Sequence, residues 1–200
     1  MRYIIMCGGR IVPNPRQLRE INGERIVGRT IRLLREQGIE DIVISAQDER
    51  FTKFGVPVVD KKWDRYYWLN CFIPSRQPVC YLYGDVYYSP EAIRTIVSTE
   101  TDDIEFFASA KPFSDKYIKQ WEEPFAFKVQ RTRHFRNCIN KTKQYFDNHV
   151  IGRAISWELW QVIKGTPLRV IEYNYTVIND YTCDIDNDRE AEELQRCLSI

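Results

Sequence analysis

The chain alternates between short apolar runs and segments in which apolar residues recur at helical spacing. Apolar runs typical of buried strands cover residues 2–7, 41–46, 56–59, 78–88, 103–110, 124–129 and 168–177. Helical spacing covers residues 23–37, 89–97, 132–148, 156–164 and 187–198. Strands that alternate with helices from the first residues onward predict an α/β fold.

Local signals mark where two of these helices begin or end. Gly38 follows the first helical segment and is a natural C-terminal stop. Ser89 is a suitable N-cap and Pro90 suits the first turn of the next helix. Because no repeat, linker or low-complexity tract interrupts the pattern, we predict a single domain over residues 1–200, built on a mixed, mostly parallel sheet.

Composition narrows the class of protein. Of the 200 residues, 44% are hydrophobic, and 29 basic residues nearly balance 28 acidic ones, so a packed core is expected and a dedicated nucleic-acid partner is not. The apolar run at residues 3–7 is too short for a signal peptide or a membrane span, which predicts a cytoplasmic protein without a membrane partner. Six cysteines without a C-x-x-C pair predict reduced thiols and no zinc site.

The first candidate for chemistry is the loop after the first strand. It reads Cys7-Gly8-Gly9-Arg10, and the tetrapeptide Pro-Arg-Gln-Leu follows at residues 15–18. Glycines let backbone N–H groups approach phosphates, and arginine adds a charged fork of donors. A turn with solvated arginines is the alternative, since this is neither a Walker A loop nor a full G-x-G-x-x-G.

Acidic residues form the other two candidates. Asp85 lies in the middle of the apolar run 78–88, where a carboxylate needs a cation or hydrogen bonds, or else faces water in a turn. Asp184 and Asp186 would point to the same side of an extended segment and could share a divalent cation. The alternative for this segment is N-capping of the last helix by Asp186 or Asn187.

The order of these features resembles one family. A strand, a Gly-rich basic loop with P-R-Q-L, a helix closed by G-I-E-D-I-V-I, a later L-Y-G-D-V-Y and a late D-I-D before a helix are similar to nucleotidyltransferases. That family includes sugar-1-phosphate nucleotidylyltransferases, methylerythritol-phosphate and phosphocholine cytidylyltransferases, and molybdopterin guanylyltransferases. The resemblance covers nearly the whole chain and implies a GT-A-like, Rossmann-type sheet with helices on both faces.

The resemblance implies roles for the loop residues. Cys7, Gly8 and Gly9 stand where the family's small-residue loop wraps the nucleotide, and Arg10 stands near the arginine that meets the triphosphate. Arg16 takes the place of the catalytic lysine of the family's P-K-x-L. The loop is shorter than the family's G-x-G-x-R stretch, and an arginine delivers its charge as a wider fork than a lysine does.

The resemblance also implies a Mg²⁺ site. Asp85 matches the first metal-binding aspartate and acts as a catalytic residue, Asp184 matches the late one, and Asp186 shares its role. Asn70 is a candidate reader of the nucleotide base. The implied reaction transfers NMP from CTP or another NTP to a phosphorylated small molecule and releases pyrophosphate, in the supply of cell-surface polysaccharide precursors.

The acceptor is expected to bind beyond the third strand and in residues 111–165. Residues 61–70 are rich in aromatic side chains, which could hold the quaternary ammonium of phosphocholine by cation–π contact, although packing in the core or at an interface is the simpler interpretation. Exposed aromatics could also form a homodimer. A GT-A glycosyltransferase and a non-catalytic nucleotide-binding module are the alternative functions.

Overall fold

The computed structural model describes residues 1–8, 12–60, 64–110, 122–168, 172 and 174–199. Within those ranges the chain forms eleven β-strands and five α-helices. The strands are β1 (Arg2–Met6), β2 (Glu20–Ile21), β3 (Glu24–Arg25), β4 (Ile42–Ser45), β5 (Val58–Val59), β6 (Val79–Tyr83), β7 (Val86–Tyr87), β8 (Ile104–Ala108), β9 (Pro124–Val129), β10 (Thr176–Val177) and β11 (Cys183–Asp184). The helices are α1 (Ile26–Glu36), α2 (Pro90–Ser98), α3 (Thr132–Asp147), α4 (Ser156–Lys164) and α5 (Asp188–Leu198).

Seven of the described strands form one mixed sheet in the order β10-β8-β9-β6-β1-β4-β5. Strand β1 pairs in parallel with both β4 and β6, and β9 runs antiparallel to its neighbours β6 and β8. Two small antiparallel ribbons, β2–β3 and β7–β11, lie outside this sheet. The mixed, mostly parallel α/β sheet predicted from the sequence is confirmed.

Helices cover both faces of the sheet, as adjacent residues of β9 demonstrate. Phe127 packs against Phe135 of α3 and Trp160 of α4. The next side chain, Lys128, donates to carbonyl groups at the end of α2. Because successive side chains of a strand point to opposite faces, α3 and α4 lie on one face and the end of α2 on the other.

Local signals in the sequence determine several helix ends as expected. Gly38 has φ +75° just beyond α1, a conformation that glycine adopts without steric cost. Ser89 caps α2 by accepting from the N–H of Ala92 at 2.9 Å. Asn187 caps α5 by accepting from the N–H of Glu190 at 3.1 Å. Among the described residues, no helix has the length and apolarity that a membrane crossing requires.

Two predicted strands differ from the structure. The run at residues 78–88 forms two strands, β6 and β7, separated by a turn at Gly84 and Asp85. In the predicted strand at residues 168–177, only Thr176–Val177 of the described residues pair with a neighbouring strand, as β10. In the first case periodicity could not locate the break, because the turn depends on contact with β1, which is remote in the sequence.

Candidate active site

The site begins where β1 and β6 end side by side. Met6 is level with Tyr83 across the parallel ladder, and the N–H of Gly84 donates to the carbonyl oxygen of Met6 at 3.1 Å. A Cβ at Gly84 would lie 2.6 Å from Cys7 Sγ, so only glycine fits at this position. The chain then turns and carries Asp85 past the end of β1, the edge where parallel sheets gather functional side chains.

A small ribbon brings the late acidic segment to Asp85. Strand β7 pairs with β11 so that Val86 is level with Asp184. The N–H of Ile185 then donates to the carbonyl oxygen of Asp85 at 2.9 Å. Asp85, Asp184 and Asp186, which the sequence predicted as metal ligands, are therefore brought into one neighbourhood by backbone pairing.

The pKa of the Asp85 carboxyl group is strongly raised. Burial, followed by the negative charge of Asp184, raises its pKa to about 7, and the charge of Asp186 acts in the same direction. The positive charge of Arg16 opposes this shift. Crowding of like charges around a desolvated carboxyl group favours either protonation or a bound cation.

The donor set suits a hard cation. Carboxylate oxygens of Asp184, Asp186 and Glu190 all lie within 4.8 Å of one another. This group has Glu190 where the predicted set has Asp85. Glu190 also accepts hydrogen bonds from the N–H of Asp186 at 2.7 Å and from the side-chain amide of Asn187 at 2.8 Å, so it orients the segment as well. Oxygen ligands of this kind fit Mg²⁺.

The tetrapeptide after the loop connects the loop with the acidic segment. Arg16 forms an ion pair with Asp186. The buried side chain of Gln17 donates to the carbonyl oxygen of Gly8 at 3.0 Å. These residues form a 3-10 turn, Arg16–Leu18, which places both side chains on the side of the site.

Sequence reasoning missed two charged residues that hold the acidic segment. Arg19 is 16% exposed and donates to the carbonyl oxygen of Ile185 at 3.0 Å and to Asp188 at 2.8 Å. Glu123, which is 5% exposed, accepts from the N–H of Asp184 at 2.8 Å. The position of Arg19 directly after P-R-Q-L was an available signal, whereas nothing near Glu123 in the sequence pointed to this site.

The remaining predicted site residues do not lie in this cluster as far as the structure describes them. Gly9 and Arg10 lie outside the described residues. Asn70 lines a cavity of about 340 Å³ between α3 and residues 69–75. Its amide donates to Asp64 at 2.7 Å and accepts from Lys143 at 2.9 Å, so both ends of the amide already have partners within the chain.

The aromatic residues expected around the acceptor divide into two groups. Tyr66 packs on α3, with Arg65 and Lys143 each 4.9 Å from its ring centroid, and Trp160 is 2% exposed in the core. Packing is thus the role of these two rings. Tyr67 and Trp68 are 37% and 40% exposed, and their ring centroids lie 5.7 Å apart. Residues 61–63 and 111–121 of the expected acceptor region lie outside the described residues.

Comparison with solved structures settles the fold. HddC from Yersinia pseudotuberculosis, complexed with GMP-PN, matches with a TM-score of 0.57 and 10% identity over 98% of this chain and 99% of its own. A Bacillus anthracis protein assigned as a glucose-1-phosphate thymidylyltransferase, in complex with sucrose, matches with a TM-score of 0.60 and 12% identity over 98% and 94%. The CTP:phosphocholine cytidylyltransferase of Streptococcus pneumoniae matches with a TM-score of 0.53 and 16% identity over 98% of both chains.

The chain has a nucleotidyltransferase fold. This confirms the fold that the order of motifs predicted. No family model matches the sequence, and no curated protein matches it. At these sequence identities, this chain and the solved structures share the arrangement of their strands and helices. The chemistry therefore has to be argued from the side chains of this chain.

Proposed function

We propose that the chain is a Mg²⁺-dependent nucleotidyltransferase that transfers NMP from an NTP to a phosphorylated small molecule and releases pyrophosphate. The observation that carries the proposal is the meeting of Asp85 with Asp184 and Asp186 beside the end of β1. In this arrangement three carboxylates crowd together with Arg16 next to a glycine-containing loop. Such a site can neutralise phosphates through a cation on one side and a guanidinium on the other.

Asp85, Asp184 and Asp186 would hold the Mg²⁺, which supplies charge neutralisation at the phosphates when it is bound. Glu190 lies close enough to Asp184 and Asp186 to share the ion, and it also accepts from the N–H of Asp186. Glu123 acts through the backbone, because it accepts from the N–H of Asp184. Arg19 holds the carbonyl group of Ile185 between these two aspartates. The acidic segment is therefore fixed before any substrate arrives, which is what electrostatic catalysis requires.

In the proposed reaction an acceptor phosphate oxygen attacks the α-phosphorus in line and pyrophosphate leaves. The protein's task is positioning and charge balance, because the step needs little covalent help. Arg16, which is ion-paired with Asp186 of the acidic segment, provides positive charge for the α-phosphate or the leaving pyrophosphate. The loop at Cys7 and Gly8 provides backbone close to the same edge. The role expected for Arg10 stays a prediction, as does base recognition by Asn70.

A sugar phosphate is the acceptor we favour, and phosphocholine is the second candidate. The ring of Tyr66 already has Arg65 and Lys143 as cationic neighbours, which leaves it poorly suited to a quaternary ammonium ligand. Tyr67 and Trp68 keep phosphocholine under consideration because their rings are exposed. Either product would be an activated precursor for cell-surface polysaccharides. A homodimer through these exposed rings stays a prediction.

Pyrophosphate release tests the proposal. The protein with Mg²⁺ is incubated with ATP, CTP, GTP or UTP against a panel of sugar 1-phosphates and phosphocholine, and pyrophosphate is measured by a coupled assay. Release that depends on one NTP–acceptor pair and disappears with EDTA supports the proposal and identifies both substrates.

Other outcomes separate the alternative functions. Sugar transfer from a nucleotide-sugar, without pyrophosphate release from any NTP, would indicate a glycosyltransferase. Binding of an NTP without turnover across the panel would indicate a non-catalytic module, in which Arg16 does not replace the family lysine. Absence of both binding and turnover would refute the nucleotide-based assignment.

A further inference from the structure

An ion pair at the end of β4 lies next to the loop that follows β1. Asp48 accepts from Arg50 Nε through both carboxylate oxygens, at 2.9 and 3.0 Å, and from the N–H of Arg50 at 3.0 Å. The side chain of Asp48 is only 10% exposed. Arg50 Nη2 also donates to Asp48, at 2.5 Å. Four hydrogen bonds from one residue therefore reach a nearly buried carboxylate, and the three that come from the guanidinium group fix its plane.

The far side of the same guanidinium group holds the loop. Arg50 Nη1 donates to the carbonyl oxygen of Pro13 and Nη2 to that of Val12, each at 2.6 Å. At the other flank, Gln17 donates to the carbonyl oxygen of Gly8. The described residues on both sides of residues 9–11 are therefore held by side chains, Gly8 by Gln17 of the following turn and Val12–Pro13 by Arg50 of a remote segment.

This arrangement has a physical purpose if the loop binds phosphate. Backbone that is not held in place must lose conformational entropy when a ligand orders it, and that loss weakens binding. Holding the flanks before the ligand arrives removes part of this cost. A planar guanidinium group can bridge a carboxylate and two consecutive carbonyl groups at once, whereas a lysine ammonium cannot match that geometry.

We infer that Arg50, oriented by Asp48, is a positioning residue that holds the Val12–Pro13 flank of the loop ready for the phosphates of an NTP. The inference rests on the proposed function, and it adds a residue that lies in none of the motifs of the sequence analysis. Arg50 acts through the backbone of Val12 and Pro13 and needs no contact with the substrate. A purely structural role would fasten the loop without any effect on nucleotide affinity.

Two measurements on Arg50→Met distinguish these roles. Hydrogen exchange of residues 8–18, without nucleotide, reports on the order of the loop. Steady-state kinetics with ATP, CTP, GTP and UTP separates KM from kcat. We expect faster exchange in residues 8–18 and a KM for the NTP raised about tenfold, with kcat changed by less than about threefold, because binding is weakened equally in the ground state and the transition state.

Arg2→Met is the matched control. Arg2 also donates through Nε to both oxygens of a carboxylate, Asp41, at 2.9 and 3.2 Å, but it lies at the start of β1, at the end of that strand opposite the loop. It should leave the KM for the NTP and the exchange of residues 8–18 unchanged. Arg50→Lys keeps the charge beside Asp48 but cannot reach both carbonyl groups, so we expect a smaller rise in KM. It also serves as the test if Arg50→Met does not fold.

The opposing results are distinct. An unchanged KM in Arg50→Met and Arg50→Lys, in a wild-type protein that turns over an NTP, would overturn the inference and leave the proposed function intact. Unchanged exchange in residues 8–18 would overturn it as well. Failure of the proposed function looks different, since the wild-type protein would then neither bind an NTP nor release pyrophosphate, and the purpose assigned to Arg50 would fall with it.

Discussion

The N–H of Gly84 donates to the carbonyl oxygen of Met6 at 3.1 Å, at a crossing that leaves no space for a side chain. A Cβ at Gly84 would lie 2.8 Å from that same oxygen and 2.6 Å from the sulfur of Cys7. The contact ties the end of β6 to the end of β1 and sets the point from which Asp85 enters the site.

Gly84→Ala should destabilise the protein, because the added methyl group meets backbone that cannot move aside. We expect the free energy of unfolding in urea to fall by about 1–3 kcal/mol, a typical cost of overpacking. Gly152→Ala is the control, since a Cβ there meets nothing within 4 Å. Equal free energies of unfolding for the two variants would contradict the close approach.

Asp85→Asn should separate activity from stability. We expect kcat to fall by about 100-fold or more, the scale seen when one electrostatic contact to the transition state is lost. The free energy of unfolding at pH 8 should not fall, because the variant removes a buried carboxylate that is crowded by Asp184. Asp102→Asn, at an exposed position, serves as the control. Turnover near that of the wild-type protein with Mg²⁺ would contradict the catalytic role of Asp85.

Lys128→Met should destabilise the end of α2. The Lys128 ammonium donates to the carbonyl oxygens of Ile96, Val97 and Thr99 at 3.0, 2.7 and 2.6 Å. Without it these carbonyl groups lose their charged donor, and we expect the free energy of unfolding to fall by about 2–3 kcal/mol. The exposed Lys141→Met on α3 should change little. A loss in Lys128→Met no larger than in Lys141→Met would show that water replaces the ammonium without cost.

Glu158→Gln should alter the pH dependence of stability. Burial raises the pKa of Glu158 above its ordinary 4.5, and backbone hydrogen bonds together with the charge of Arg153 only partly offset this rise. Among the described residues, Glu158 Oε2 has no hydrogen-bond partner. A raised folded-state pKa means that the folded protein holds this proton more tightly than the unfolded chain, so stability is lost as pH rises from 4.5 through the folded pKa.

The variant removes that loss. Glu158→Gln should be more stable than wild type at pH 8, and its advantage should shrink as the pH falls toward 4, as measured by urea unfolding at each pH. Glu192→Gln, at an exposed position of α5, should show no such trend. An advantage of the same size at pH 8 and pH 4 would mean that ionisation of Glu158 is not the cause.

Hydrophobic spacing was sufficient to predict most elements, because burial of one face is a local property of the sequence. Strand β1, helix α1 and helix α3 lie within a few residues of their predicted bounds. The caps at Ser89 and Asn187 were likewise local, since each needs only a side chain and the N–H three residues later. The order of the loop, Asp85 and the late acidic segment was also sufficient to predict the fold.

What the sequence determined by itself was the identity of the elements and the set of charged residues that follow them. Only the tertiary structure decided which of those charges meet, because pairing between β7 and β11 joins segments that no local period relates. That pairing places Asp184 beside Asp85, where Arg19 and Glu123 also contact the acidic segment. Asn70, in contrast, bonds to Lys143 of α3 and lies away from this ribbon. Contacts between remote segments cost loop-closure entropy and are stabilised only by the packing of the whole domain. A short window of neighbouring residues therefore carries no information about which remote segments meet.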